Sequence, residues 1–306
     1  MSNNLRGYLY AAMSSSSYGV NAFAILLYAD GITNLSILFY RYFFAVILLL
    51  VLMAVRHIPL RLTLREFALV CPMGLLFAFS SLSLFESYKH LGASLSATAL
   101  FIYPALVALI MWVAFRETPS RVTLFAIPAV FAGIVLLDWQ GITTGQSSPI
   151  GLLIVFLSAL SYAVYMVVVQ KSVLAQMPTL KLSFYSLFFG WFLFIVATHG
   201  CADVQILPSA TDWLIVISLA LFPSLISLAT MATAIRLVGS TATAVLGAFE
   251  PLTSVLIGIC LLGERPPLVS YVGMVVILLS VTAVVAQKRV YSYIKIAARH
   301  LHIASR

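Results

Sequence analysis

The chain has 306 residues, of which 62% are hydrophobic and 8% charged, with a mean hydropathy of +1.09 and a formal charge of +8. That is too little charged surface to keep a protein of this length in water, and no polar stretch is long enough to build a core of its own. The composition therefore excludes a soluble enzyme or soluble nucleic-acid binder and indicates a polytopic membrane protein.

Ten apolar spans are predicted, near residues 7–28, 34–55, 67–88, 93–115, 120–137, 150–170, 180–198, 212–235, 239–262 and 268–287. Each is close to the roughly 20 residues that cross a bilayer as a helix. The first span reads as retained, because no small-x-small cleavage site follows a short apolar core. Of the 17 Lys and Arg residues, only Lys89 and Arg265 fall in segments predicted outside, and Arg41 lies within a span. The rest fall in segments on the opposite face, which places both termini in the cytoplasm of a plasma membrane (the inner membrane, in a bacterium).

The first span carries Ser14 to Ser17, Tyr18 and Asn21, a polar run that could line a cavity. Serines in membrane helices more often serve packing. The second holds Arg41 a few residues from its outer end, and the third ends near Glu86. Similar depths allow an ion pair or outer gate between them. The alternatives are an Arg41 that snorkels and a Glu86 that meets Lys89 in water.

The fourth span and its surroundings, from Lys89 to Ser120, nearly repeat the stretch from Arg236 to Pro267 that contains the ninth. At one constant offset Gly92 meets Gly239, Ala97 meets Ala244, Pro104 meets Pro251, Leu109 meets Leu256, Ile110 meets Ile257, Glu117 meets Glu264 and Pro119 meets Pro266. The matches fall on helix punctuation, which a shared backbone path would keep. Ser158 to Tyr162 in the sixth span likewise echoes Ser14 to Tyr18 in the first. Two repeats follow, residues 5–142 and 148–287, with five spans each. An odd number of crossings inserts the halves in opposite senses, so the expected fold is all-α, ten transmembrane helices in a 5+5 inverted repeat. Residues 288–306 read as a basic amphipathic cytoplasmic tail, or as a frayed one.

The central mismatch between the repeats sets Tyr103 against Glu250. A carboxylate at mid-span costs at least ~2.5 kcal/mol on insertion scales, and defaults to a functional reading. Glu250 is thus a candidate proton site or partner for a substrate ammonium, against the plainer reading of a protonated side chain bonded to a neighbouring helix. Pro104 and Pro251 are hinge candidates, or static kinks. Gly239, Thr243 and Gly247, with Gly92 in the fourth span, form a small-residue packing seam. Tyr18, Tyr103, Tyr162, Tyr165 and Trp191 supply rings for stacking and cation–π contact. Glu117 and Glu264, each followed by a proline, read as helix-terminus structure.

Five-plus-five spans, the paired central prolines and the Glu-x-Pro exits resemble the drug/metabolite transporter superfamily, in its branch with two EamA-type repeats. The resemblance covers about residues 5–287. It implies an exporter with a central cavity and alternating access, for amino acids, related small metabolites or toxic compounds. The chain lacks the cluster of intramembrane Lys and Arg expected of phosphate carriers.

The residues themselves disfavour an enzyme. All five histidines and all four aspartates fall in loops or the tail, and no HExxH or GxSxG occurs. Cys71, Cys201 and Cys260 have no metal-type spacing. No metal, cofactor or nucleic acid is expected. The expected partners are a small-molecule substrate, protons as the candidate coupling ion, and the lipid bilayer, for a monomer or homodimer. The reading is a secondary exporter of amino acids, similar small metabolites or cationic aromatic compounds. A channel-like facilitator, or a scaffold or scramblase without ion coupling, is the alternative.

Overall fold

The computed structural model describes residues 3–23, 31–91, 96, 99–137, 139, 143, 148–261 and 267–284. Gly92, Glu264 and the 288–306 tail lie outside them. Among the described residues the chain is helical, with no strand. The helices are α1 (Asn3–Tyr18, continued by a 3₁₀ turn Gly19–Phe23), α2 (Asn34–Val55), α3 (Leu64–Leu91), α4 (Tyr103–Phe115) and α5 (Arg121–Leu137). They continue as α6 (Pro149–Lys171), α7 (Thr179–Ala197), α8 (Ala210–Val238), α9 (Ser240–Leu246), α10 (Phe249–Leu261) and α11 (Leu268–Val284). Six are long and apolar enough to cross a membrane: α2, α3, α6, α7, α8, and α9 with the start of α10. The chain is an integral membrane protein.

Their ends follow local chemistry. Thr33 caps α2 by accepting from Ser36 N, and Ser148 caps α6, whose first turn starts with Pro149. A capping box of Ser209 and Asp212 opens α8. Pro223 cannot donate to the ladder, and the backbone from Ala220 to Ile226 opens into a π-helix around it.

The repeated stretches share a backbone path at their centres. The fourth span turns at Phe101–Ile102 and resumes as α4, with Pro104 in its opening turn. The ninth ends α9 at Leu246, turns at Gly247–Ala248 and resumes as α10 with Pro251 in its first turn. Each proline thus begins a half-helix, where its missing N–H costs nothing, and does not kink a continuous one.

Packing repeats in the same way. Ser14 of α1 donates to Ser227 O of α8 at 2.8 Å, and the two hydroxyls lie 3.2 Å apart. Ser80 of α3 donates to Ser158 O of α6 at 2.9 Å, again with hydroxyls 3.2 Å apart. Ser158 is the repeat counterpart of Ser14, and Ser227 that of Ser80. Similarly, Gly7 lets α1 approach Leu237 and Val238, while its counterpart Gly151 lets α6 approach His90 and Leu91. The same contact thus recurs between matching positions of the two repeats with its sides exchanged. The pairs α1–α8 and α3–α6 form the centre, with α2 and α7 packed against them and α5 meeting α11 at Gly133.

Candidate functional site

Glu250 occupies the first turn of α10, at the interruption of the ninth span. A carboxylate there faces the free N–H groups and positive dipole end of a half-helix, a compensation that a continuous helix would lack. Gly19 packs against the other side: a Cβ at Gly19 would fall 2.7 Å from Glu250 O. α1 thus changes to a 3₁₀ turn where it crosses the start of α10.

A cavity adjoins Glu250, lined by Ser14, Ser15, Tyr18, Tyr103, Tyr162, Met166, Ser227, Met231 and Thr243. Its volume is about 10 Å³, room for roughly one water. Side chains from both repeats meet here. Tyr103 is 3% exposed, and its hydroxyl donates to Ala244 O of α9 at 3.1 Å. The hydroxyl occupies the space that a Cβ on Gly247 would take. Its ring meets Tyr162 edge-on at 5.0 Å, and Tyr162 Oη contacts Met231 Sδ of α8 at 3.0 Å. The two interrupted helices, the Tyr103–Glu250 mismatch and the two tyrosines therefore converge on one point.

Arg41 adjoins this cluster from α2. It is fully buried. Its Nε donates to Ser224 Oγ of the π-helix at 2.7 Å, and Nη1 donates to Asn21 Oδ1 at 3.1 Å. The guanidinium lies 5.5 Å from the Tyr18 ring centroid and 5.9 Å from that of Tyr42. Nη2 has no hydrogen-bond partner. No carboxylate lies within 4.0 Å of Arg41 among the described residues. Two neutral acceptors and two ring faces hold the buried cation.

The other sequence candidates divide. Glu86 pairs with Lys89 at 2.6 Å and accepts from Asn34 Nδ2 at 3.4 Å, so it answers Lys89 and not Arg41. Arg41 is buried and does not snorkel. Tyr165 points away from the cavity, its hydroxyl 3.2 Å from Ser186 Oγ and its ring 5.1 Å from Phe77. Trp191 packs on Phe39 and Phe43 at 5.7 and 5.4 Å, also outside the cavity lining. Thr243 lines the cavity and back-bonds to Gly239 O at 2.8 Å. Gly239 has φ +89°, and a Cβ there would meet only Gln170 at 3.7–3.8 Å. Its requirement is left-handed backbone at the α8–α9 joint, not close packing. Gly92 is outside the described residues. Sequence reading passed over Ser224, Ser227 and Met231, although their i, i+3, i+7 spacing places them on one face of α8.

Comparison with known proteins adds three findings. The model of the EamA-like transporter family matches twice, over residues 5–138 and 149–286. A solved chain described only as "Crystal structure of protein" superposes with a TM-score of 0.75, covering 92% of this chain and 96% of its own at 16% identity. That likeness is one of fold. No curated protein sequence matches.

Proposed function

Because the chain belongs to the EamA-like transporter family and is a membrane transporter of small molecules, we propose that it is a secondary exporter working by alternating access around Glu250. In this reading the repeats are two inverted five-crossing bundles, with both termini cytoplasmic in the plasma membrane. The substrates are amino acids, similar small metabolites or cationic aromatic compounds. The observation that carries it is the position of Glu250 at the start of a half-helix beside a cavity built from both repeats.

The chemistry follows from three features. A carboxylate at mid-depth binds either a proton or a substrate's positive group, and exchange of one for the other would couple the two fluxes. Tyr18, Tyr103 and Tyr162 offer ring faces to a cationic or aromatic solute. The cavity, at about 10 Å³, is far below the roughly 300 Å³ at which ligand pockets begin. This conformation is therefore closed to solute, and transport requires the bundles to separate around it. The Ser14–Ser227 and Ser80–Ser158 contacts are small and polar, which suits helices that slide past one another.

The test is counterflow in proteoliposomes with labelled phenylalanine and phenethylamine, with and without a pH gradient. The reading predicts saturable uptake that is accelerated by unlabelled solute inside. It also predicts that Glu250→Gln, correctly inserted, loses the pH dependence and most of the rate. Undiminished, equally pH-dependent transport by Glu250→Gln would remove this residue from the mechanism. Flux that neither saturates nor exchanges would favour the channel-like facilitator.

A further inference from the structure

A second cavity, of about 240 Å³, lies at the end of the bundle where α4, α6 and α8 finish and α5 and α9 begin. Its lining includes Tyr8, Glu117, Gln170, Ser240 and Thr241. The basic-residue bias puts this end in the cytoplasm. At about 240 Å³ this cavity approaches the lower end of ligand-pocket size, roughly 300 Å³, which the cavity of about 10 Å³ at Glu250 does not.

Two of its polar groups have no partner among the described residues. Tyr8 is 5% exposed and Ser240 0%, yet neither Tyr8 Oη nor Ser240 Oγ makes a hydrogen bond to a described residue. Buried hydroxyls are almost always bonded, and leaving one unpaired costs about 1–3 kcal/mol. Their neighbours are satisfied. Gln170 Oε1 accepts from Ser240 N, Ser120 and Thr123 bond one another at 2.9 Å, and Glu117 pairs with Lys171. The free hydroxyls belong to different repeats, on α1 and α9.

This cavity is also aligned with the central one. Ser240 lines the vestibule and Thr243 the cavity at Glu250. They are three residues apart on one face of α9, a rise of about 4.5 Å. Tyr103, bonded to Ala244 O and edge-on to Tyr162, lines the cavity at Glu250 and not the vestibule.

We propose that the vestibule is a loading subsite, where Tyr8 Oη and Ser240 Oγ hydrogen-bond the polar head of a small organic solute before it reaches Glu250. Glu117, which lines the cavity and pairs with Lys171, is placed to take the ammonium of such a solute. The subsite rests on the transporter reading above but not on Glu250. Solute held here cannot enter the cavity at Glu250, which is only about 10 Å³ in this conformation, so binding precedes and is separable from translocation.

The experiment uses the full chain in liposomes with Cys71, Cys201 and Cys260 replaced by serine and Thr241→Cys added as reporter. Labelling by a membrane-impermeant thiol reagent is followed against phenylalanine concentration. Phenylalanine should protect the reporter, and equally so in a Glu250→Gln background. In Tyr8→Phe and in Ser240→Ala, the concentration for half-protection should rise about tenfold, the loss of one to two hydrogen bonds. Size-exclusion profiles of each variant separate this from misfolding, and the two substitutions on different helices check each other. Protection absent from the parent, abolished by Glu250→Gln, or unmoved by both hydroxyl deletions overturns the subsite. Protection that behaves as expected alongside unchanged flux in Glu250→Gln would instead overturn the central mechanism and leave the vestibule standing.

Discussion

Gly247 shows how narrowly the site is fitted. Its missing Cβ is the space that the Tyr103 hydroxyl fills, so Gly247→Ala should destabilise the protein by roughly 1–3 kcal/mol, the usual cost of overpacking. Adding Tyr103→Phe removes the clashing oxygen and should recover part of that loss, measured as the melting temperature in detergent. Equal melting of the single and double variants would mean that the two residues do not meet. Arg41 makes a second prediction at this scale. Arg41→Ala deprives Ser224 and Asn21 of their donor, and Arg41→Lys keeps the charge without the fork that reaches both. The lysine variant should lie between alanine and the parent in thermal stability. Glu250 was legible in the sequence because the bilayer makes a mid-span carboxylate conspicuous. Tyr165 and Trp191 misled for a related reason: in a span that is apolar all round, a ring's position along the chain does not say which face it takes. Ser224 and Met231 were silent because serine and methionine are ordinary packing residues in such helices.

At the level of elements, the repeated prolines were visible, while the form of the interruption was not. Sequence reading placed Pro104 and Pro251 as hinges or static kinks within continuous spans. The chain instead stops at Phe101–Ile102 and Gly247–Ala248 and restarts with the prolines in a first turn. Pro251→Ala should therefore cost little helix stability, since no intrahelical bond is missing at that position. A melting temperature raised by several degrees would show instead that the ring was breaking a helix able to continue. The serine contacts offer an independent check on the repeat. Ser14→Ala and Ser80→Ala should each destabilise by about 0.6–2 kcal/mol, by similar amounts because the sites are counterparts. Their effects should add in the double variant, because the two contacts share no partner. Span ends such as Asn34 and Val55 were predicted as observed, because hydropathy changes sharply there. The π-helix around Pro223 and the 3₁₀ turn at Gly19–Phe23 leave no mark in hydropathy, although the first presents Ser224 to Arg41 and the second packs on Glu250 O.

For the whole molecule, the contacts Ser14–Ser227 and Ser80–Ser158, like Gly7–Val238 and Gly151–Leu91, recur between matching positions of the two repeats with their sides exchanged. The same relation explains why the central cavity draws on α1, α6, α8, α9 and both interruptions at once. It also frames the asymmetry. Glu250 stands where the other repeat has Tyr103, so the centre of the molecule is acidic on one side and aromatic on the other. The most direct test of alternating access is the reactivity of a single Thr243→Cys, in a background without other cysteines, toward an impermeant thiol reagent applied to either side of sealed vesicles. The account predicts labelling from both sides, with the rate on one side falling as the other rises when a solute gradient is imposed. Labelling from one side alone, or from both at rates that solute leaves unchanged, would contradict it.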